Sequence, residues 1–310
     1  MAPSRLVTLP ALVVLTLALT SFGSAPAAPP SEGTATPAAA RVSTFRVVAA
    51  GDISCPPGEA VTPTRCQQGA TAALASRLKP NLVLTLGDHQ YQESSLAQFQ
   101  GSYAKSWGAL RSRTRPAIGN HEYLTPGAEG YYTYFRYRQP GPPGYYRVQA
   151  GAWQVFVLNS NCDKINCSRE ATWLDRQMKA HPSRCSMITM HHPRYSSGAE
   201  HGNDPAVIPL WRAAYKHHTD LVLTGHEHDY ERFKRMDAVG HLRPYRGMLE
   251  FVVGTGGVNL YHLGTRKLGS ARYQDTRFGV LQLNLHPRTY SFAFRATNGQ
   301  VLDSGSRTCL

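Results

Sequence analysis

The sequence predicts an α/β domain, and three observations carry that reading. Five apolar runs of strand length each stop at a Gly or a His beside side chains able to hold a metal ion. They are Phe45-Arg-Val-Val-Ala-Ala50 into Gly51-Asp52, Leu82-Val-Leu-Thr-Leu86 into Gly87-Asp88, and Arg115-Pro-Ala-Ile118 into Gly119-Asn120-His121; then come Met187-Ile-Thr-Met190 into His191-His192-Pro193 and Leu221-Val-Leu-Thr224 into Gly225-His226. Runs of this kind suit strands buried on both faces, and ligands of α/β sheets gather at strand carboxyl ends. Helical segments are expected between them, over 68–78 and near 93–110, 168–180 and 205–217. Finally, Met248–Val253, Phe278–Leu285 and Thr289–Phe294 show partial period-two alternation, which predicts antiparallel strands completing a second sheet.

Composition narrows the class. With 42% hydrophobic and 17% charged residues the 310-residue chain is globular in character. The 27 Gly and 21 Pro argue against a helical bundle, and no short repeat supports a collagen or coiled coil. Behind Arg5, the apolar run Leu6–Thr20 is followed by Ser24-Ala25-Pro26-Ala27, an A-x-A cleavage pattern. The expectation is a signal peptide over 1–27, a disordered Pro/Ala/Thr-rich lead-in over 28–43, and one domain over 44–310, because no second linker interrupts it. Signal cleavage would leave no transmembrane segment, and the protein is expected to be secreted.

Secretion changes how the cysteines read. Cys55, Cys66, Cys162, Cys167, Cys185 and Cys309 form an even set without a C-x-x-C pair, which favours disulfides over a zinc ribbon. Six cysteines allow 15 pairings, and sequence alone does not choose among them. Local closure suggests Cys55–Cys66 and Cys162–Cys167, leaving Cys185 with Cys309.

The strand-end residues carry the chemistry. Asp52, Asp88, Tyr91, Asn120, His121, His191, His226 and His228 mix hard oxygen donors with imidazole nitrogen, a set suited to two first-row metal ions. In Gly225-His226-Glu227-His228 the histidines are two apart, so on an extended segment they point to one side. A formal charge of +13 would steer anionic esters, but the arginines are scattered, so no nucleic-acid module is evident. Tyr131-Tyr132-x-Tyr134-Phe135-x-Tyr137 with Tyr145-Tyr146 invites a base-stacking reading; cross-strand packing in two strands about Gln139–Gly144 is the stronger one. Gly254-Thr-Gly-Gly257 reads as a tight turn near the site, and His192, His217, His218, His241 and His262 as structural or solvent-facing.

Gly51-Asp52, Gly87-Asp88-x-x-Tyr91, Gly119-Asn120-His121-Glu122, His191-x-Pro193 and Gly225-His226-x-His228 occur in an order that resembles the calcineurin-like metallophosphoesterases. Tyr91, three after Asp88, and Ser54, where other branches carry a histidine ligand, favour the purple acid phosphatase branch, although that branch usually has glycine at the position of Ser54. The resemblance, over residues 45–295, implies a β-sandwich of two mixed sheets flanked by helices in α-β-β-α layers. It implies one metal on Asp52, Asp88, Tyr91 and His228, and a second on Asp88, Asn120, His191 and His226, with Asp88 bridging. The pair would be Fe(III) with Fe, Zn or Mn in the divalent state. His121 and His201 would be catalytic, and Glu122 would orient a ligand histidine. The implied activity is phosphomonoester hydrolysis by a metal-bound hydroxide, on a small-molecule phosphate ester. A phosphodiesterase or nucleotidase on the same metals is the alternative within enzymes, and a secreted metal-binding module without turnover the alternative outside them.

Overall fold

The computed structural model describes residues 11–21, 23 and 44–310. The expected cleavage region and the 28–43 lead-in lie outside the described residues. Residues 11–21 and 23 fall in a separate unit, Met1–Arg41, and form neither helix nor strand. No helix among the described residues is long and apolar enough to cross a membrane.

Within Val42–Leu310, β1 (Phe45–Ala50), α1 (Gln68–Arg77), β2 (Leu82–Leu86), α2 (Leu96–Gly101) and β3 (Thr114–Ala117) come first. After α3 (Glu129–Tyr134) follow β4 (Tyr146–Ala150), β5 (Trp153–Val157), α4 (Cys167–Ala180), β6 (Ser186–Thr189), α5 (Ile208–Lys216) and β7 (Leu221–Thr224). The chain closes with β8 (Tyr230–Phe233), β9 (Leu249–Val253), β10 (Ser270–Gln274), β11 (Gly279–Leu285), β12 (Thr289–Ala296) and β13 (Val301–Thr308). These strands make two mixed sheets, ordered β13-β12-β11-β1-β2-β3 and β10-β8-β9-β7-β6-β5-β4. Strands β1, β2 and β3 run parallel, as do β5, β6, β7 and β9.

Alternation along the second sheet explains the layering. Val155, Val157, Met187, Leu221, Leu223, Phe251 and Val253 join one core with β1, β2 and β11, while Phe156, Ile188, Val222 and Val252 join another with Leu174, Met178, Leu210 and Trp211 of α4 and α5. Successive strand residues point to opposite faces, so one set fills the space between the sheets and the other seats two helices. Helix α4 is held at its start by Asn166, whose side chain accepts the Arg169 N–H.

Backbone hydrogen bonds tie the strand ends together where the two sheets meet. Gly51 N–H donates to Val253 O (2.9 Å), Asp52 N–H to Gly87 O (3.2 Å) and Gly225 N–H to His191 O (2.9 Å). The three disulfides are Cys55–Cys66, Cys162–Cys167 and Cys185–Cys309, the pairing that local closure suggests.

Three expectations need correction. The C-terminal strands do not together complete the second sheet as antiparallel strands: β11 pairs antiparallel with β1 and β12 with β11, extending the first sheet, while β9 inserts into the second between β7, to which it is parallel, and β8. Partial alternation reports a half-buried face, not the partner strand. The helix expected near 93–110 is α2 followed by 3-10 turns at Tyr103–Lys105 and Trp107–Arg113, because Gly101, Ser102, Ser106 and Gly108 interrupt it. The first aromatic run is helical, α3, rather than a strand. Tyr131, Tyr134 and Phe135 share one helix face packed on Phe99, Tyr103 and His89, with Tyr131 and Phe135 fully buried. Buried rings offer no platform for bases.

Candidate metal centre

Three tight turns present the site. Asp52, Asp88 and His226, each directly after a glycine at a strand end, have φ of 60°, 46° and 71°, the left-handed region that non-glycine residues rarely occupy. Each is held there by its own N–H: Asp52 on Gly87 O, Asp88 on Glu122 Oε2 (3.0 Å) and His226 on Asp52 Oδ2 (2.9 Å). Close approach explains two of the glycines. A Cβ on Gly119 would overlap the Asp88 carboxylate, and one on Gly225 would sit 2.5 Å from Asp52 Oδ2.

The seven expected ligand side chains converge in two adjoining groups. Tyr91 Oη lies 3.1 Å from Asp52 Oδ1, 3.1 Å from Asp88 Oδ2 and 2.9 Å from His228 Nε2. His191 Nε2 lies 2.9 Å from Asn120 Oδ1, 3.3 Å from Asp88 Oδ2 and 3.1 Å from His226 Nδ1. Asp88 Oδ2 belongs to both groups. Asp52, Asp88, Tyr91, His191 and His228 are all at most 3% exposed.

Proton arithmetic shows that this donor set fits cations. His191 Nδ1 lies 2.8 Å from Leu86 O, a carbonyl that only accepts, so Nδ1 carries the ring proton. Nε2 of the neutral ring is then a lone pair facing two lone-pair-bearing oxygens. Tyr91 has one proton for two carboxylate oxygens, those of Asp52 and Asp88. Without a cation, the residues compensate by shifting their protonation. Burial alone would raise Asp88, but His191, His121 and His226 together hold it well below the carboxylate range. Burial would lower His191, but Asp88 lifts it to about 9. Burial, then the Asp88 and Asp52 carboxylates, hold the Tyr91 phenol well above its ordinary value. A metal ion among these groups reverses that last preference. The clusters Cys55/Glu59/Cys66 and Cys185/Asp220/Cys309 also have ligand-like spacing, but their sulfurs are disulfide-bonded and are not thiolates.

His121 and His201 flank the groups on different sides. The His121 N–H donates to Asp88 Oδ1 (2.9 Å), its Nδ1 is 2.7 Å from Gln92 O, and its Nε2 is 3.9 Å from Asp88 Oδ2. His201 is exposed, its ring centroid 4.1 Å from that of His226, and Glu227, 3.8 Å from its Nδ1, raises its pKa.

Glu122 departs from expectation. It touches no ligand histidine; its carboxylate accepts the N–H groups of Asp88, His89 (2.8 Å) and Gly119 (2.7 Å) and faces the buried His89 ring at 3.3 Å. It therefore clamps two metal-site loops through their backbones. His192, expected to be structural or solvent-facing, lies against the site, its ring centroid 4.4 Å from that of His226. Burial, then His191, holds it down at about 3. The doubled histidine after β6 was the available signal, and strand alternation would have sent the second ring away. No motif pointed to Tyr261, whose ring stacks on His228 at 3.8 Å and whose N–H donates to His228 O. Gly254–Gly257 lies against Asp52: a Cβ on Gly254 would sit 2.8 Å from Asp52 Oδ2, and Gly256 N–H donates to Gly51 O.

The calcineurin-like phosphoesterase family model matches residues 45–230. The chain is 26% identical over 251 residues to a phosphoenolpyruvate phosphatase of Allium cepa, which covers 69% of this chain and 51% of that protein. It is 25% identical over 187 residues to a purple acid phosphatase of Glycine max, covering 53% and 40%. The chain thus spans about half or less of the curated relatives it matches. Among solved structures, a purple acid phosphatase from yellow lupin (Lupinus luteus) seeds superposes with a TM-score of 0.73 at 18% identity, over 86% of this chain and 54% of the other, which establishes a shared fold. With motifs in order, matching architecture and a family match over more than half its length, the chain belongs to the calcineurin-like phosphoesterases.

Proposed function

We propose that this protein is a secreted phosphomonoesterase of the purple acid phosphatase type, with 44–310 as its catalytic domain. The observation that carries the reading is the shared Asp88 Oδ2 between the Tyr91 and His191 groups. Asp52, Asp88, Tyr91 and His228 would hold one ion, and Asp88, Asn120, His191 and His226 the other. When bound, the pair would supply Lewis acidity, lowering the pKa of water and neutralising phosphoryl charge.

The chain's own groups do the rest. The αL turns at Asp52, Asp88 and His226 aim three donors before any ligand arrives, a form of preorganisation. His121, with Nδ1 directed at Gln92 O, keeps Nε2 free; in its protonated form that atom donates to a phosphoryl oxygen or to the departing alkoxide. His201, held through its backbone N–H by Glu227, offers a second contact from the His226 side. Net positive charge draws anionic esters towards the opening. Three disulfides, together with the apolar run Leu6–Thr20 and the A-x-A pattern after it, support an oxidising, extracellular location.

The test pairs metal content and visible spectrum with hydrolysis of a nitrophenyl phosphate and its bis ester from pH 4 to pH 9. Two metals per chain, purple colour and acid-side turnover favouring the monoester are expected. A colourless enzyme active at neutral pH would replace the Tyr91–Fe(III) centre with a divalent pair. Faster bis-ester turnover would make it a diesterase, and bound metal without turnover on either ester would leave a metal-binding module.

A further inference from the structure

His192 and Ser160 form a unit that none of the expected roles covers. Ser160 is 1% exposed and follows β5, the strand parallel to β6, so the fold sets it beside the His191-His192 turn. Its Oγ accepts the backbone N–H of His191 (3.2 Å) and of His192 (2.9 Å) and lies 2.8 Å from His192 Nδ1. A hydroxyl has two lone pairs and one proton. Both lone pairs are taken by the backbone donors, so the proton goes to His192 Nδ1, which must be an acceptor. The remaining ring proton is therefore on Nε2.

That assignment separates His192 from its neighbours. One nitrogen of each of His191, His192 and His226 lies within 4.8 Å of the others, a spacing that on distance alone suggests a three-histidine metal site. A metal takes an imidazole lone pair, and the one on His192 is already used by Ser160. Among the described residues Nε2 has no protein partner, and it is not among the enclosed, unsatisfied atoms. The His192 ring, its centroid 4.9 Å from that of His191 and 4.4 Å from that of His226, thus carries a fixed N–H donor at the edge of this group, the kind of donor a tetrahedral oxyanion accepts.

We propose that His192 is a further catalytic residue, whose Nε2–H binds a phosphoryl oxygen and whose tautomer is set by Ser160. This rests on the phosphoesterase reading above. The test uses the metal-loaded full chain with inorganic phosphate as the probe. His192→Phe keeps a ring and removes the donor, whereas His192→Gln retains an N–H near the same point. Both should keep two metals per chain. Phosphate Kd should weaken about tenfold in His192→Phe, the scale of one hydrogen bond to a charged group, and return to within a few-fold of wild type in His192→Gln. Nitrogen-15 spectra of histidine-labelled wild type should show the Nε2–H tautomer at His192, giving way to a mixture in Ser160→Ala. Unchanged phosphate Kd in His192→Phe with both metals present, loss of a metal in that variant, or an Nδ1–H tautomer in the wild type would each overturn the proposal. Wild type that holds two metals yet neither binds phosphate nor hydrolyses esters would instead overturn the phosphoesterase reading.

Discussion

Tyr91 and Glu122 show how much a single side chain decides at this site. Tyr91 Oη reaches both Asp52 and Asp88 in the first group, and the side chain is buried. Tyr91→Phe is expected to abolish visible charge-transfer colour while leaving the fold intact, as read by absorbance and circular dichroism. Colour that persists would remove tyrosinate ligation. Asp88→Ala should release both ions together, because Oδ2 is common to both groups, and mass spectrometry of the metals would show it. Glu122 is a different case, since it accepts three backbone N–H groups in a site with no exposure. Glu122→Gln turns part of that acceptor surface into a donor facing N–H groups. It should cost about 1–3 kcal/mol of stability by denaturant melting and weaken metal retention without touching a ligand.

At the scale of elements, the site depends on turns that close only because glycines let them. Gly119 follows β3 and lies against Asp88, two residues past the end of β2. Gly119→Ala is expected to displace the bridging carboxylate and lower metal content well below two per chain, even though Ala is nearly neutral in an open loop. Full metal content in that variant would show that the two loops can separate. Helix α4 offers a control away from the chemistry. Asn166→Ala removes the N-cap acceptor for Arg169 N–H and should cost about 0.5–2 kcal/mol with metal content unchanged.

Over the whole molecule, the Cys185–Cys309 bridge spans 124 residues and fastens the C-terminus beside β6. Closing so long a loop restricts the unfolded chain, so Cys185→Ser with Cys309→Ser should lower stability by about 2–5 kcal/mol. Asp220 sits beside this bridge, accepting N–H groups from Ser186 and Leu310. Burial is the main influence and raises its carboxyl to about 6. A carboxyl raised on folding binds its proton more tightly in the folded chain. Its contribution is therefore complete below the ordinary value near ~4 and is lost as pH rises through about 6. Asp220→Asn should flatten the fall in Tm between pH 4 and pH 6, a term of about 2–3 kcal/mol in the wild type. An unchanged slope would place the titration elsewhere.

The sequence by itself determined the strands and the polar side chains gathered at their ends. An apolar run stopping at Gly-Asp, Gly-Asn or Gly-His is a local pattern, so β1, β2, β3, β6 and β7 and the seven donors at their ends were legible, as was the α/β class. Short loops suggested two of the three disulfides and left Cys185 with Cys309, but the structure, not the sequence, chose that pairing among the 15 possible. Only the tertiary structure decided which sheet the C-terminal strands join, because alternation reports burial and not partner. It also turned the aromatic run into α3, since the face built by Tyr131, Tyr134 and Phe135 needed Phe99 and His89 opposite it. Glu122, Ser160, His192 and Tyr261 acquired their places the same way: each meets the site through a contact with a residue 32 or more positions away, and a contact between distant segments leaves no periodicity to read.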